Sequence, residues 1–168
     1  MMTLRLFCSA TVLAVLAGCA SYNGRGLVPG KSTAAEVESL MGVPAMRIAN
    51  PDGSSILYFP RGPQGRHTYA VSVGADGVMR GIEQRLTPEN VAKLVRGQTS
   101  AKQARELFGP PTRITRAARF PLDVWEYRTL DYHDKRVLWI EFSDDGILRG
   151  VIEMHDFESD EPSGPSFP

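Results

Sequence analysis

The chain has 168 residues with 19 Lys and Arg against 19 Asp and Glu, so its formal charge is zero. That balance argues against a polyanion such as nucleic acid as a partner, and the length suits one domain or two small fused ones. The only cysteines are Cys8 and Cys19, which excludes a disulfide-rich scaffold or a Cys-based metal site in the body of the chain.

The opening stretch MMTLRLFCSATVLAVLAG joins one charge, Arg5, to an apolar run from Leu6 to Leu16 and a small-residue end. This is the three-part pattern of a secretory signal peptide over 1–18, and the run is too short to span a bilayer of about 30 Å. Leu16-Ala17-Gly18-Cys19 resembles the lipobox of bacterial lipoproteins. That resemblance implies cleavage before Cys19, diacylation of its sulfur and acylation of the new terminus by fatty acids such as palmitate. Ala20, in place of Asp, implies the outer membrane of a Gram-negative bacterium, on its periplasmic face. Cys8 would leave with the signal, and residues 19–26 read as a lipidated tether. A multiply acylated terminus anchors stably, at about 0.8 kcal/mol per buried methylene.

Residues 27–86 read as a first α/β repeat. Thr33 followed by Glu36 forms a capping box, and Val37, Leu40 and Met41 form the stripe of a helix packing one face. Gly42 falls where a left-handed C-terminal residue is needed, and Pro44 forbids continuation. A turn at Asn50-Pro51-Asp52-Gly53 precedes the strand ILYF, 56–59. The glycine-rich loop from Arg61 to Arg66 reads as a hairpin connection. Asp76-Gly77 marks a second hairpin inside AVSVGADGVMRGI, 70–82.

Residues 87–155 repeat the pattern. Thr87-Pro88 opens a short leading helix, and Leu94-Val95 matches Leu27-Val28. Ser100 and Gln103 form the second capping box. Ala104, Leu107 and Phe108 form the stripe, and Gly109 and Pro111 close it, every signal sixty-seven residues after its counterpart. WEYR, 125–128, lies opposite ILYF, which matches Tyr127 to Tyr58. WIEFSDDGILRGV, 139–151, follows at an offset of sixty-nine. Leu138, Ile140 and Phe142 then face the helices, as do Tyr69, Val71 and Val73, with about three strands per repeat. The tail, 156–168, is rich in Pro, Ser and acid and reads as disordered. The fold class is therefore α+β: two tandem helix-plus-antiparallel-sheet repeats.

The LAGC signal, the Gly-x-Ser/Thr-x(2)-Glu/Gln-x(3)-Leu-x-Gly-x-Pro motif, the Tyr-bearing strand and the Asp-Gly hairpin resemble the BamE (SmpA/OmlA) family of small outer-membrane lipoproteins. The doubling resembles the tandem units of the β-lactamase inhibitory protein fold. BamE-type proteins generally carry one copy, and the inhibitory proteins are disulfide-bonded, so this chain departs from both. The resemblance implies a non-enzymatic, lipid-anchored protein-binding module, with envelope or outer-membrane protein assembly as setting and envelope proteins as partners. The alternative is an inhibitor of a periplasmic or cell-wall hydrolase.

The residues themselves offer little chemistry. His67, His133 and His155 have no His or Cys at ligand spacing, so no metal motif is present. No nucleophile elbow or phosphate-binding loop appears, and no catalytic residue or cofactor is expected beyond the lipid on Cys19. An enzyme acting on envelope polymers would need paired carboxylates converging in a cleft. Candidate partner-binding residues are on the surface. Trp139 alternates away from the helix-facing set, where it either anchors a partner or packs against the other repeat. Trp125 and Tyr127 pose the same question, with their facing open. Arg113, Arg116 and Arg119 in one connecting segment meet anionic headgroups, an acidic partner or only solvent.

Overall fold

The computed structural model describes residues 23–131 and 133–157. The signal segment, Cys19 and residues 158–168 lie outside the described residues, and with them the expected lipidation site and most of the expected tail.

The N-terminal half places α1 (Ala34–Met41) against a sheet of β1 (Met46–Ala49), β2 (Ser55–Arg61), β3 (His67–Val73) and β4 (Met79–Gln84). The C-terminal half holds a four-residue helix, α2 (Pro88–Val91), then α3 (Ala101–Phe108). Its sheet is built of β5 (Arg113–Arg116), β6 (Leu122–Asp131), β7 (Asp134–Ser143) and β8 (Leu148–His155). Both sheets are antiparallel and run in chain order, β1-β2-β3-β4 and β5-β6-β7-β8. The protein is thus an α+β fold with two four-stranded antiparallel sheets.

Both capping boxes form. The Thr33 amide donates to Glu36 Oε2 at 2.7 Å, and the Glu36 amide returns a bond to Thr33 Oγ1 at 3.3 Å. Ser100 and Gln103 exchange the same two bonds at 2.8 and 3.2 Å. Each helix start is also tied to a hairpin turn: the Ala34 amide donates to Gly77 O at 2.9 Å, and Ala101 to Gly146 O at 2.7 Å. The helix-ending glycines have positive φ as the sequence requires. Their ψ is extended, however (φ 82, ψ −168 for Gly42 and φ 84, ψ −162 for Gly109), a conformation essentially restricted to glycine.

Each helix covers one sheet face. Val37 and Met41 pack on Leu57, Phe59, Val71, Val73 and Met79. Ala104 and Phe108 pack on Trp125, Tyr127, Leu138, Ile140, Phe142 and Leu148. The parity read for β3 and β7 therefore holds. Three sequence readings need correction. Each sheet has four strands rather than about three, because β1 and β5 are short edge strands whose flanking turns mask the alternation. Arg113 and Arg116 accordingly lie in a strand rather than a connecting segment. Tyr58 and Tyr127 are also not counterparts. Tyr58 pairs with Ala70 on the face away from α1, whereas Tyr127 pairs with Leu138 beneath α3, so Phe59 stands at the position of Tyr127.

The two halves meet asymmetrically. The N-terminal sheet turns its second face, with Tyr58, Thr68 and Ala70 all buried, to the end of α3. The Tyr58 hydroxyl donates to Glu106 O at 2.5 Å. A Cβ on Gly109 would stand 2.8 Å from Tyr58 Cδ1 and 3.0 Å from Thr68 Cγ2, so glycine is what permits this approach. At Gly42 the same Cβ would meet nothing within 4 Å. Gly42→Ala should therefore cost only its backbone strain, about 1–3 kcal/mol. Gly109→Ala should cost about 1–3 kcal/mol more from the clash. Urea unfolding of the two variants measures the difference, and equal losses would refute the close contact.

Candidate functional site

The corresponding face of the C-terminal sheet is built differently. Strand register sets Arg113 opposite Glu126, Glu126 opposite Trp139 and Trp139 opposite Ile152, a single row across all four strands. The N-terminal sheet has Met46, Tyr58, Ala70 and Glu83 in its equivalent row. Trp139 thus takes the place that small Ala70 fills under the close-packed α3 end. Flanking rows add Val124 beside Glu141, and Val137 beside Met154. Trp139 is half-buried, while Ile152 and Met154 remain 41% and 37% exposed. A hollow of about 350 Å³ lies over Val124, Trp139 and Ile152, with Arg113, Thr115 and Glu141 at its rim.

Charge is buried beneath one end of this face. Glu126 is 5% exposed and accepts from Arg113 Nη2 at 2.6 Å, Trp139 Nε1 at 3.2 Å and Arg128 Nε at 3.2 Å. Burial pushes its carboxyl up, but Arg113, Trp139 and Arg128 outweigh that and hold it below the ordinary value. The indole is thereby fixed in orientation by the same carboxylate that neutralises two guanidinium groups.

Asp156 closes the cluster. It accepts from Arg128 Nη1 at 2.8 and 2.7 Å and from Arg66 Nη2 at 2.5 Å. Arg66 comes from the β2–β3 connection of the other half, and it also donates to Thr129 O at 3.0 Å. Gln64, at φ 59, turns its Oε1 to both guanidinium groups at 2.9 and 3.3 Å. Burial pushes the Asp156 carboxyl up, and Arg66 and Arg128 more than reverse it. Asp156, read from sequence as the first residue of a disordered tail, is thus 3% exposed and bridges the halves.

The predicted site residues divide. Trp139 and Arg113 stand on the open face. Arg116 projects from the opposite face, where it pairs with Asp123 at 3.0 Å and Asp144 at 2.5 Å. Arg119 is exposed in the turn between β5 and β6, so the three arginines do not form one cluster. Trp125 and Tyr127 are core residues. Trp125 packs on Phe142 beneath the Arg105 guanidinium, and Tyr127 donates to Gly109 O at 3.1 Å. Burial raises the Tyr127 phenol above its usual range. Neither can meet a partner of the folded chain.

Ile152, Met154 and Glu126 were missed, although the alternation that marked Trp139 extends to β6 and β8. Arg66 and Asp156 lie ninety residues apart, with no local signal joining them. His155 Nδ1 lies 2.8 Å from Asp134 Oδ1 on the surface, beside Arg136 and Glu153. Among the described residues no group of three or more His, Cys, Asp or Glu is placed to hold a metal. Among them, too, no helix is long and apolar enough to cross a membrane.

No family model matches this chain, and no curated protein matches it. Among solved structures it is similar to a DUF4309 family protein (YjgB) from Bacillus subtilis, at 18% identity over 79% of this chain and 84% of that one. The TM-score is 0.31, and a likeness of that depth carries no argument about fold or function.

Asp156→Ala would remove the carboxylate that the buried Arg66 and Arg128 share, while Arg128 keeps Glu126, and should cost about 3–5 kcal/mol in urea unfolding. The carboxyls of Asp156 and Glu126 lie below their unfolded values. Their stabilisation is complete above the unfolded pKa values of about 4 and is lost as pH falls through the lower folded ones. Unfolding midpoints measured from pH 6 downward should fall steeply below about pH 4 in the parent and less so in Asp156→Ala.

Proposed function

We propose that this protein is a lipid-anchored lipoprotein of the outer membrane, facing the periplasm, which works by binding another envelope protein rather than by catalysis. The binding surface is the outer face of the C-terminal sheet. One observation carries this reading: Trp139, Ile152 and Met154 form an apolar strip over the face that in the other half is sealed by a helix end. Aromatic anchors amid apolar neighbours with a polar rim are the usual composition of interface centres. The surrounding Arg113, Thr115 and Glu141 supply such a rim.

The two halves are, on this reading, copies of one unit of the BamE type, joined in tandem in the manner of the β-lactamase inhibitory proteins. Repeated capping boxes, the bridges Thr33–Val78 and Ser100–Ile147 and the identical strand order support duplication. After copying, the outer faces diverged, one toward internal packing and the other toward a partner. The setting is envelope or outer-membrane protein assembly.

Two measurements test this. Cys19→Ala should abolish palmitate incorporation and release the protein from the membrane fraction. A photo-crosslinking residue at position 152 or 154 should yield a discrete adduct in intact cells, lost in Trp139→Ala, whereas one at exposed Lys102 should not. Trp139→Ala should leave the fold intact, so equal adducts in parent and variant would sink the docking surface. An adduct with a cell-wall hydrolase whose activity falls on binding would favour the inhibitor reading.

A further inference from the structure

We propose that β8 takes up the partner as an added strand: an extended segment in which apolar residues alternate with basic ones pairs along its outer edge at residues 151–153. This rests on the reading of the outer face as the docking surface, and it names the chemistry and the conformation of what docks there.

The backbone is laid out for it. In an antiparallel pair, alternate residues aim their amide and carbonyl at the neighbouring strand, and the others aim away. The Asp156 amide donates to Lys135 O at 2.8 Å, which sets Asp156, Met154 and Ile152 facing β7, with Val151 and Glu153 facing outward. The outward groups of Leu148 are taken: its amide donates to Thr99 O and its carbonyl accepts from the Gly97 amide, both at 2.9 Å. Those of Val151 and Glu153 meet no partner among the described residues, where β8 is an edge strand bonded to β7. Natural sheets blunt such an edge with charge or cover it. The N-terminal half does both. Sixty-nine residues earlier, Glu83 and Arg85 stand where Ile152 and Met154 stand here, in an ion pair at 3.3 Å. Ile82, the counterpart of Val151, is covered so closely that a Cβ on Gly24 would stand 2.8 Å from its Cδ1. On β8, by contrast, residues 151–154 are all exposed, and only Glu153 among them is polar.

The side chains select the segment. Ile152 and Met154 point to the open face, where they continue the strip of Trp139, so residues beside them must be apolar. Glu153 pairs with Leu138 and points to the opposite face. There Arg136 donates to Glu153 Oε1 at 3.0 Å and to Asp134 Oδ2 at 2.8 Å, so two part-exposed carboxylates share one guanidinium. His155 brings an imidazole nitrogen to 2.8 Å from Asp134, and Arg149 is held by Asp145 at 2.9 Å. A further cation is what this side of the edge calls for. A Lys or Arg opposite Glu153 supplies it, with its methylene stem along Val151. Side chains of an extended segment alternate between faces, so the two requirements together specify apolar and basic residues in turn. The main chain adds about four hydrogen bonds, one for each outward amide and carbonyl of Val151 and Glu153.

Amide hydrogen exchange reads the edge directly. In the full chain the Val151 and Glu153 amides should exchange fast and that of Ile152 slowly. The probe is the end-blocked peptide Val-Lys-Ile-Lys-Val-Thr at millimolar concentration. It should slow exchange at Val151 and Glu153 by about tenfold. A peptide with Glu for each Lys, or with N-methyl groups on the backbone of both Lys, should leave exchange unchanged. Val151→Pro removes one outward amide at an edge position that proline tolerates, so it should keep the unfolding midpoint and lose the peptide effect. Exchange that no peptide alters, or that the Glu peptide slows equally, overturns the added strand. So does slow exchange without peptide that speeds up on dilution, which assigns the edge to a second copy. Crosslinking at position 154 separates this from docking on the face. An adduct that survives Val151→Pro, with no peptide effect in the parent, keeps the docking surface and removes the strand. Peptide protection with no adduct in cells keeps the strand and removes the envelope partner.

Discussion

A four-stranded sheet has two faces, and one eight-residue helix covers one of them. Everything else in this molecule follows from how the second face of each sheet is dealt with. In the N-terminal half the solution is close packing: Ala70 is small, Gly109 has no side chain, and the Tyr58 hydroxyl finds the free carbonyl of Glu106. A helix end has unsatisfied carbonyls, so burying it against a sheet demands such a donor. The fit is tight enough to fix the two halves relative to one another.

The second face of the C-terminal sheet carries instead a mixture of buried ions and half-exposed apolar groups. Arg66, Arg128, Glu126 and Asp156 lie nearly out of water within one connected network. Desolvating such groups is expensive, and their mutual attraction offsets that only with good geometry. What the cluster provides is geometric definition: it joins the β2–β3 connection of one half to the end of β8 in the other, and it orients the Trp139 indole through Glu126.

Local chemistry made much of the fold readable. Capping boxes, glycine stops and Asp-Gly hairpins act over three to five residues, and each is where the sequence puts it. Parity along β7 told Trp139 from Leu138, because alternation is a local property of a strand. The facing of β6 was left open, since Trp125 and Tyr127 share one face with Glu126 on the other, and a pair of aromatics suits a core and a docking surface alike. Only the pairing of Trp125 with Ile140 decides it. The edge strands β1 and β5 hid because four residues with mixed polarity carry no period. Arg66 and Asp156 hid because nothing near either one announces the other.

One detail at the helix starts reaches further than its size suggests. The first amides of α1 and α3 donate to the glycine carbonyls of the Asp-Gly turns, so each hairpin tip serves as an additional cap on a helix more than forty residues earlier. Helix and hairpin in each half are then not separable pieces. An isolated eight-residue helix is too short to persist in water, and here its nucleus is completed only when the distal turn has closed. Each half should consequently order in a single cooperative step whose slow event is the meeting of those distant ends.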